Sequence, residues 1–208
     1  LFLDGRDDMA AYAEAQPLEA PAGRQFESSS GTGVILADLA TRMLTDSHSP
    51  AIRRRLVAEF LRTRVLDPIG MKSTTVSFDR AGTLVGSSGM LAPARDWALL
   101  GEFLRHSGSV KGAQVLPNRW VTFMRTPSPR NPAYGAGLWL NGSPPKGEAP
   151  LWPGQTPKGL FGCLGEHGQY VVSSPEQLLT VVRLGYTEPE KEAALRDEMG
   201  DLIGLFPS

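Results

Sequence analysis

The sequence has almost nothing that would tie its 208 residues together covalently or around a metal, with one cysteine, Cys163, and three histidines. A single thiol excludes an internal disulfide and any cysteine-based metal framework, and its apolar and small neighbours predict a buried, inert group. His48, His106 and His167 stand in no metal-ligand pairing such as H-x-x-x-H, so no metal and no cofactor is expected. No apolar run approaches the roughly 18 residues needed to cross a bilayer, so no membrane segment is expected. An excess of one charge is also lacking: 21 Lys and Arg face 22 Asp and Glu, for a net charge of −1. The only basic run, Arg53-Arg54-Arg55, reads as a solvated helix face. Nucleic acids and anionic membrane surfaces are therefore not expected partners. An initiator Met and a basic-then-apolar leader are missing as well, so the chain is expected to begin inside a longer product. That leaves a bacterial-type periplasmic or secreted location and a cytoplasmic one both open.

What is present is an ordinary globular composition, 41% hydrophobic and 21% charged, able to bury a core as one or two domains. Asp8 to Ala15 has room for two helical turns, and Pro17 to Gly23 is punctuated as a loop. Ser29, Ser30 and Thr32 offer capping oxygens to a helix in which Val34, Ile35, Leu39 and Met43 recur at helical spacing. A second helix runs from Pro50 to Val65, with Ile52, Leu56, Phe60 and Leu61 on one face and the arginines on the other. Pro68 and Gly70 are expected to end it. Further helices follow Pro93, with Trp97, Leu100, Phe103 and Leu104 inward, and Pro117.

From Tyr134 the pattern shortens to strand-like runs, Tyr134 to Leu140, Leu160 to Leu164, Gln169 to Ser173 and Leu178 to Leu184. The Pro- and Gly-rich stretch from Asn141 to Lys158 reads as a surface loop bordering a cleft, with Trp152 in contact with substrate. Beyond Pro189 a last helix covers one sheet face. The order of helices, then strands, then a closing helix predicts an α+β fold, with a mostly helical subdomain over 1–130 and an antiparallel sheet with its closing helix over 131–208.

Generic catalytic signals are weak. Gly86-Ser87-Ser88-Gly89 lacks the spacing of a nucleophile elbow and reads as a turn. Ser143-Pro144-Pro145-Lys146 matches S-x-x-K only by letters, because the chemistry needs Ser and Lys one helical turn apart and consecutive prolines forbid that. His167, in Gly165-Glu166-His167-Gly168-Gln169, lies where glycines permit close approach of a ligand, and a bland turn or a site fits it equally well.

Several ordered segments carry a resemblance. Pro21 to Ser30 is similar to the P-x-G-x-x-F-x-Y-S-[NS] stretch of β-lactamase-related serine hydrolases, the group of penicillin-binding proteins, class C β-lactamases and related esterases. Leu66 to Met71 with Thr74 resembles its PLGM-x-x-T segment, and Ser87 to Leu91 with Arg95 to Ala98 its S-G-G-L and D-L-A turn and helix. Tyr134 to Trp139 resembles its YGYGW strand, and Gly165 to Gln169 with Val181 to Leu184 its G-H-x-G strand and neighbour.

The resemblance implies a β-lactamase/transpeptidase-like fold whose first strands lie outside this chain. It also implies acyl-enzyme chemistry on an ester or amide, whether β-lactam, peptide or small acyl compound. By position it places Ser28 at the proton-shuttling Tyr, Ser29 beside it against substrate, and Ser30 at the Asn or Ser of the second motif. Glu166 falls at the Lys or His of the third motif, with His167 next, and Gly168 and Gln169 line the substrate, the latter by its backbone N–H. Two departures follow. A serine hydroxyl is too weak an acid to replace a phenol, and Glu166 brings a negative charge where a cation or neutral donor is expected. The S-x-x-K nucleophile segment belongs upstream of residue 28. The alternative is a non-catalytic descendant that binds a peptide-like or small acyl ligand. The expected partners are such a substrate and an N-terminal companion segment or a second copy.

Overall fold

Asp8 opens the first helix, α1 (Met9–Glu14), by accepting a hydrogen bond from the Ala11 N–H at 3.0 Å. This is the capping role that a short side-chain oxygen performs at a helix start. The computed structural model describes residues 1–208, and the chain divides into two compact units, 1–68 with 72–92, and 69–71 with 93–208. By contacts the division therefore falls earlier than the change of patterning near residue 130.

In the first unit, α1 packs on α2 (Ser30–Leu44), and Met9, Val34 and Val85 form a small core with Leu1 and Ala13 against it. Gly33 and Gly86 make close approach possible: a Cβ on Gly86 would sit 2.5 Å from the Gly33 carbonyl oxygen and 2.9 Å from Ala37 Cβ. Residues 75–91 return as an irregular hairpin bridged at Thr75–Leu91 and Phe78–Leu84. Its buried Asp79 accepts the Met9 N–H at 3.0 Å and the Thr83 N–H at 2.8 Å, so one carboxylate ties the hairpin to the start of α1.

α3 (Pro50–Leu61) departs from the expected facing. Arg53 is half-buried, pairing with Asp38 and donating to Thr83 Oγ1 at 2.9 Å, while Arg54 donates to the Asp79 and Arg80 carbonyls at 2.7 and 3.1 Å. Arg54 and Arg55 are both exposed, as are Ile52 and Phe60, so only Arg53 of the triplet is turned inward. The reversal arises because Asp38, buried on α2, has only the solvent-exposed Arg42 on its own helix, and the arginine face of α3 supplies a second, well-covered cation. On α2 the buried face is likewise Val34, Ala37, Asp38 and Thr41, leaving Leu39 and Met43 outward. Pro68 does not end the helix either. A π-turn at Arg62–Leu66, in which the Asp67 N–H reaches the Arg62 carbonyl, carries the chain into α4 (Asp67–Ile69), and Gly70 at φ +89° stops it. The wider turn lets Pro68, which has no N–H to donate, sit in a helical path.

The second unit is a four-stranded antiparallel sheet with helices on both faces. Strands β3 (Trp139–Leu140), β4 (Phe161–Gly165), β5 (Gln169–Ser174) and β6 (Leu179–Arg183) run in that order. β5 shows the period of two directly. Val171 and Ser173 face α5 (Ala94–Arg105), where a Cβ on Gly101 would meet Thr180 Cγ2 at 2.6 Å and Ser173 Oγ at 2.9 Å. Tyr170 and Val172 face the other way, into a core with Leu151, Trp152, Leu160 and, from α7 (Glu192–Gly204), Met199 and Ile203. Between the sheet elements lie a small hairpin, β1 (Ser109–Val110) with β2 (Ala113–Gln114), and α6 (Asn118–Met124). The hairpin turns through Lys111 at φ 49° and Gly112 at φ 83°, the left-handed pair that a two-residue turn requires.

The strand expected over Tyr134 to Leu140 contracts to its last two residues. Gly135 donates to the Leu138 carbonyl at 2.8 Å and Gly137 takes φ +82°, so the glycines fold the segment back until the Tyr134 and Trp139 rings meet edge-on at 4.9 Å. The 141–158 stretch is a surface loop only in its first half. Asn141 is buried and its amide donates to the Thr156 carbonyl, Thr156 Oγ1 and the Pro157 carbonyl, which draws Leu151 and Trp152 inward.

Cys163 sits on β4 opposite Val171, and although the residue is half-buried its thiol is enclosed, which pushes it up to about 11. Alkylation by iodoacetamide at pH 8 is expected to be slow in the folded protein and fast once it is unfolded in urea. The raised value also has a stability consequence. Between about 9 and 11 the unfolded thiol ionises while the folded one keeps its proton, so stability should fall as pH rises through that window. A Cys163→Ala variant lacks this contribution.

Candidate functional site

Phe26 and Glu27 lead in irregular chain to Ser29, which has extended backbone (φ −116°, ψ 144°) and caps α2, its Oγ accepting from the Thr32 N–H at 3.4 Å. Ser28, Ser29 and Ser30 are all exposed at this helix start. Against them lies a groove of about 490 Å³, walled by α1, by the loop Pro17–Gly23 and by the first turns of α2. Ser29, Ser30, Gly31, Thr32 and Ile35 line it, as do Glu27 and Gln25, whereas Ser28 does not. The groove contains one phenol, Tyr12, for which no hydrogen bond is formed by the hydroxyl. Sequence reading missed Tyr12, because nothing in the α1 pattern distinguishes it from a packing aromatic until the helix is seen beside α2.

The third-motif residues gather in the second unit, in the three-residue turn 166–168 that joins β4 to β5, with Gly165 and Gln169 paired across its base. His167 and Gly168 both adopt left-handed backbone, φ 60° and 74°. For His167 this is unfavourable by roughly 1 kcal/mol, so something must hold it. Arg183 of β6 does so: its Nη1 donates to the carbonyls of His167 at 3.2 Å, Gly168 at 2.9 Å and Gly185 at 2.9 Å, and its Nη2 donates to Thr187 Oγ1 at 2.6 Å. The Thr187 N–H adds a bond to the His167 carbonyl at 3.0 Å. Gly168 is buried where any Cβ would collide with Leu195 of α7.

The His167 ring packs on Tyr186 with centroids 4.3 Å apart, and its Nδ1 lies 3.9 Å from Glu192 Oε1. Glu166 points its carboxylate into solvent without an ion pair, and the Gln169 side chain bends back to donate to the Glu166 carbonyl at 3.2 Å. The structure thus brings Glu166, His167, Gly168 and Gln169 together in one braced turn, and Ser29 and Ser30 together at one groove. These two sets belong to different units, each described by itself.

Trp152 is placed elsewhere. It is 3% exposed within the core under α7, and its Nε1 donates to the Arg196 carbonyl at 2.7 Å, so it presents no surface to a ligand. Ser143 to Lys146 has no helical structure, which removes the one S-x-x-K match from consideration. A smaller groove of about 180 Å³ beside α5 and the β1–β2 hairpin contains none of the candidate site residues. Glu102 on its wall accepts from Arg105 through both carboxylate oxygens, which holds that carboxyl below the ordinary range. No cluster of His, Cys, Asp and Glu in the structure could hold a metal ion, and no helix is long and apolar enough to cross a membrane.

The family model for β-lactamases matches residues 2–204. The chain belongs to the β-lactamase family. Solved structures of the same fold include a protein described as a 6-aminohexanoate-dimer hydrolase from Bacillus anthracis, with a TM-score of 0.71 and 20% identity over 96% of this chain and 50% of that one. A β-lactamase from Mycobacterium bovis superposes with a TM-score of 0.64 and 17% identity, over 88% of this chain and 65% of that one. A protein described as a β-lactamase from Bacteroides dorei gives 0.57 and 14%, over 95% and 65%. This β-lactamase-family chain therefore spans half to about two-thirds of the length of these structures. No curated protein matches it. The α+β expectation, with helices and an antiparallel sheet, agrees with the observed architecture and with these neighbours.

Proposed function

We propose that this chain supplies binding walls of a serine hydrolase that cleaves an ester or amide through an acyl-enzyme, with the nucleophilic serine and its lysine outside the 208 residues. The observation that carries the reading is the 490 Å³ groove lying against Ser29 and Ser30 in a chain of the β-lactamase family. A substrate acyl chain lies in that groove. Ser30 offers its hydroxyl to the reacting end, and Ser29 flanks it. Ser28 stands at the position of the proton shuttle without a side chain able to serve, and Tyr12 is the groove's own phenol. In the second unit, taken by itself, the Gln169 backbone N–H beside Gly168 stands at the family's oxyanion-donor position. In the same turn an imidazole N–H of His167 takes the donor role that the Glu166 carboxylate cannot fill.

The test is covalent labelling. The 208-residue protein treated with a fluorophosphonate or a penicillin probe is expected to show no stoichiometric adduct by intact mass, and a form extended through the upstream reading frame is expected to gain one, on a serine of the added segment. Stoichiometric labelling of a serine within 1–208 would overturn this placement of the nucleophile.

Ser28 and Glu166 favour a second reading, a family member that keeps the cleft for binding a peptide-like or small acyl ligand and has lost turnover. Ser28→Tyr in the extended protein separates the two. Recovered hydrolysis means a damaged enzyme, and unchanged inactivity with retained ligand binding means a binder.

A further inference from the structure

The charge of the groove narrows what it can take, and the inference rests on the reading of that groove as the acyl pocket. Its walls are apolar where Ala13 and Ile35 face the loop carrying Pro17, Leu18 and Pro21. Its polar lining is the amides of Gln16 and Gln25, the Tyr12 phenol and the hydroxyls of Ser29, Ser30 and Thr32. The charged side chains that line it are two carboxylates, Glu19 and Glu27, and no lysine or arginine does; Leu1, which also lines it, carries the chain's α-amino group. Neither carboxylate has an ion-pair partner. The neighbouring cations are turned to other work or lie off the lining: Arg42 lies 2.5 Å from Asp38 and 3.7 Å from Glu14, and Arg24 is exposed outside the groove.

We propose that this groove selects amide or ester substrates whose aliphatic chain ends in an ammonium group, accepts neutral ones, and discriminates against chains ending in a carboxylate. An aliphatic segment is desolvated against Ile35 and Leu18 whatever its terminus. A carboxylate at its end meets two like charges with no lysine or arginine side chain to receive it, whereas an ammonium gains from the same two groups. Both glutamates are exposed, so the discrimination is modest and sensitive to salt. This also disfavours substrates that must be held by a carboxylate on this side of the site.

The experiment is an NMR titration of the 208-residue protein with its α-amino group acetylated, which removes the charge at Leu1, followed at the backbone amides of Gly31, Thr32 and Ile35, with 5-aminopentanamide, pentanamide and glutaramate. At low ionic strength 5-aminopentanamide is expected to bind about tenfold more tightly than glutaramate, with pentanamide between them, and 0.5 M salt should compress the order. Glu19→Gln with Glu27→Gln should bring the three within about twofold of one another, and Glu27→Lys should raise the relative affinity for glutaramate. Equal or tighter binding of glutaramate by the native chain would overturn the proposal, as would a preference that survives the double glutamine variant. Binding of pentanamide without charge preference removes the selectivity alone. If no probe, pentanamide included, moves these amides, the acyl-pocket reading itself fails.

Discussion

Trp152→Ala is expected to destabilise the fold by about 3–5 kcal/mol, the range for removing a large aromatic from a core. The indole is 3% exposed among Leu151, Leu160, Tyr170, Val172, Met199 and Ile203, so its removal opens a cavity bounded by both the sheet and α7. The fit is close because Gly200 gives the ring room: a Cβ there would sit 2.5 Å from Trp152 Cδ1. A second loss is polar, because the Arg196 carbonyl gives up its 2.7 Å bond from Nε1. Trp152→Phe keeps most of the volume and loses the bond, so it should cost about 1–3 kcal/mol. Urea denaturation followed by circular dichroism reads both values. Pentanamide binding by the folded fraction of either variant should be unchanged, which separates the core role of this residue from the substrate contact expected of it from sequence.

Arg53→Ala is expected to cost about 3–5 kcal/mol, since it strips the principal counter-charge from a buried carboxylate. The Asp38 side chain is 5% exposed and the Arg53 side chain 12%, and the same guanidinium also donates to Thr83. What remains on Asp38 is Arg42, whose side chain is 58% exposed, and the Thr83 hydroxyl at 3.3 Å. A solvated arginine screens a buried charge poorly, so the residual pairing offsets only part of the loss. Replacing both partners, Asp38→Leu with Arg53→Met, should return much of the stability, because no uncompensated charge is left in the interior. Equal destabilisation by the single and double variants would mean that the packing of α2 on α3, rather than the charge, sets the cost. Chemical denaturation at constant ionic strength distinguishes these cases.

The two substitutions mark where reading residues in order succeeds and where it stops. Helix starts were legible because they depend on local chemistry: Asp8 and Ser29 cap α1 and α2 through their own oxygens, and Pro50 begins α3. β5 and β6 were legible because short runs of β-branched and aromatic residues between turn residues match a pleated strand. Facing was much less so. Arg53 looked solvated and Ile52 buried, and the reverse holds because a partner fifteen positions away on α2 determines which face of α3 turns inward. Trp152 looked like a cleft residue because its stretch is rich in Pro and Gly, yet Asn141 staples that stretch from the far end and pulls the indole beneath α7.

The candidate site divides in the same way. Its motif residues could be located from their order along the chain, since Ser29 and Ser30 precede a helix and Glu166 to Gln169 join two strands, and both arrangements follow from local preferences. The groove could not be located, because its walls come from three segments that meet only when α1 packs on α2. The brace on His167 is equally non-local, with Arg183 reaching across from β6 to three carbonyls. By itself the sequence determined the family, the α+β class and the near-balance of charge, all of which are sums or patterns along the chain. Only the tertiary structure decided which arginine is buried, that Trp152 belongs to the core, and that the two carboxylates at the groove have no lysine or arginine beside them. Those facts depend on distances between residues far apart in sequence, and local propensity carries no information about such distances.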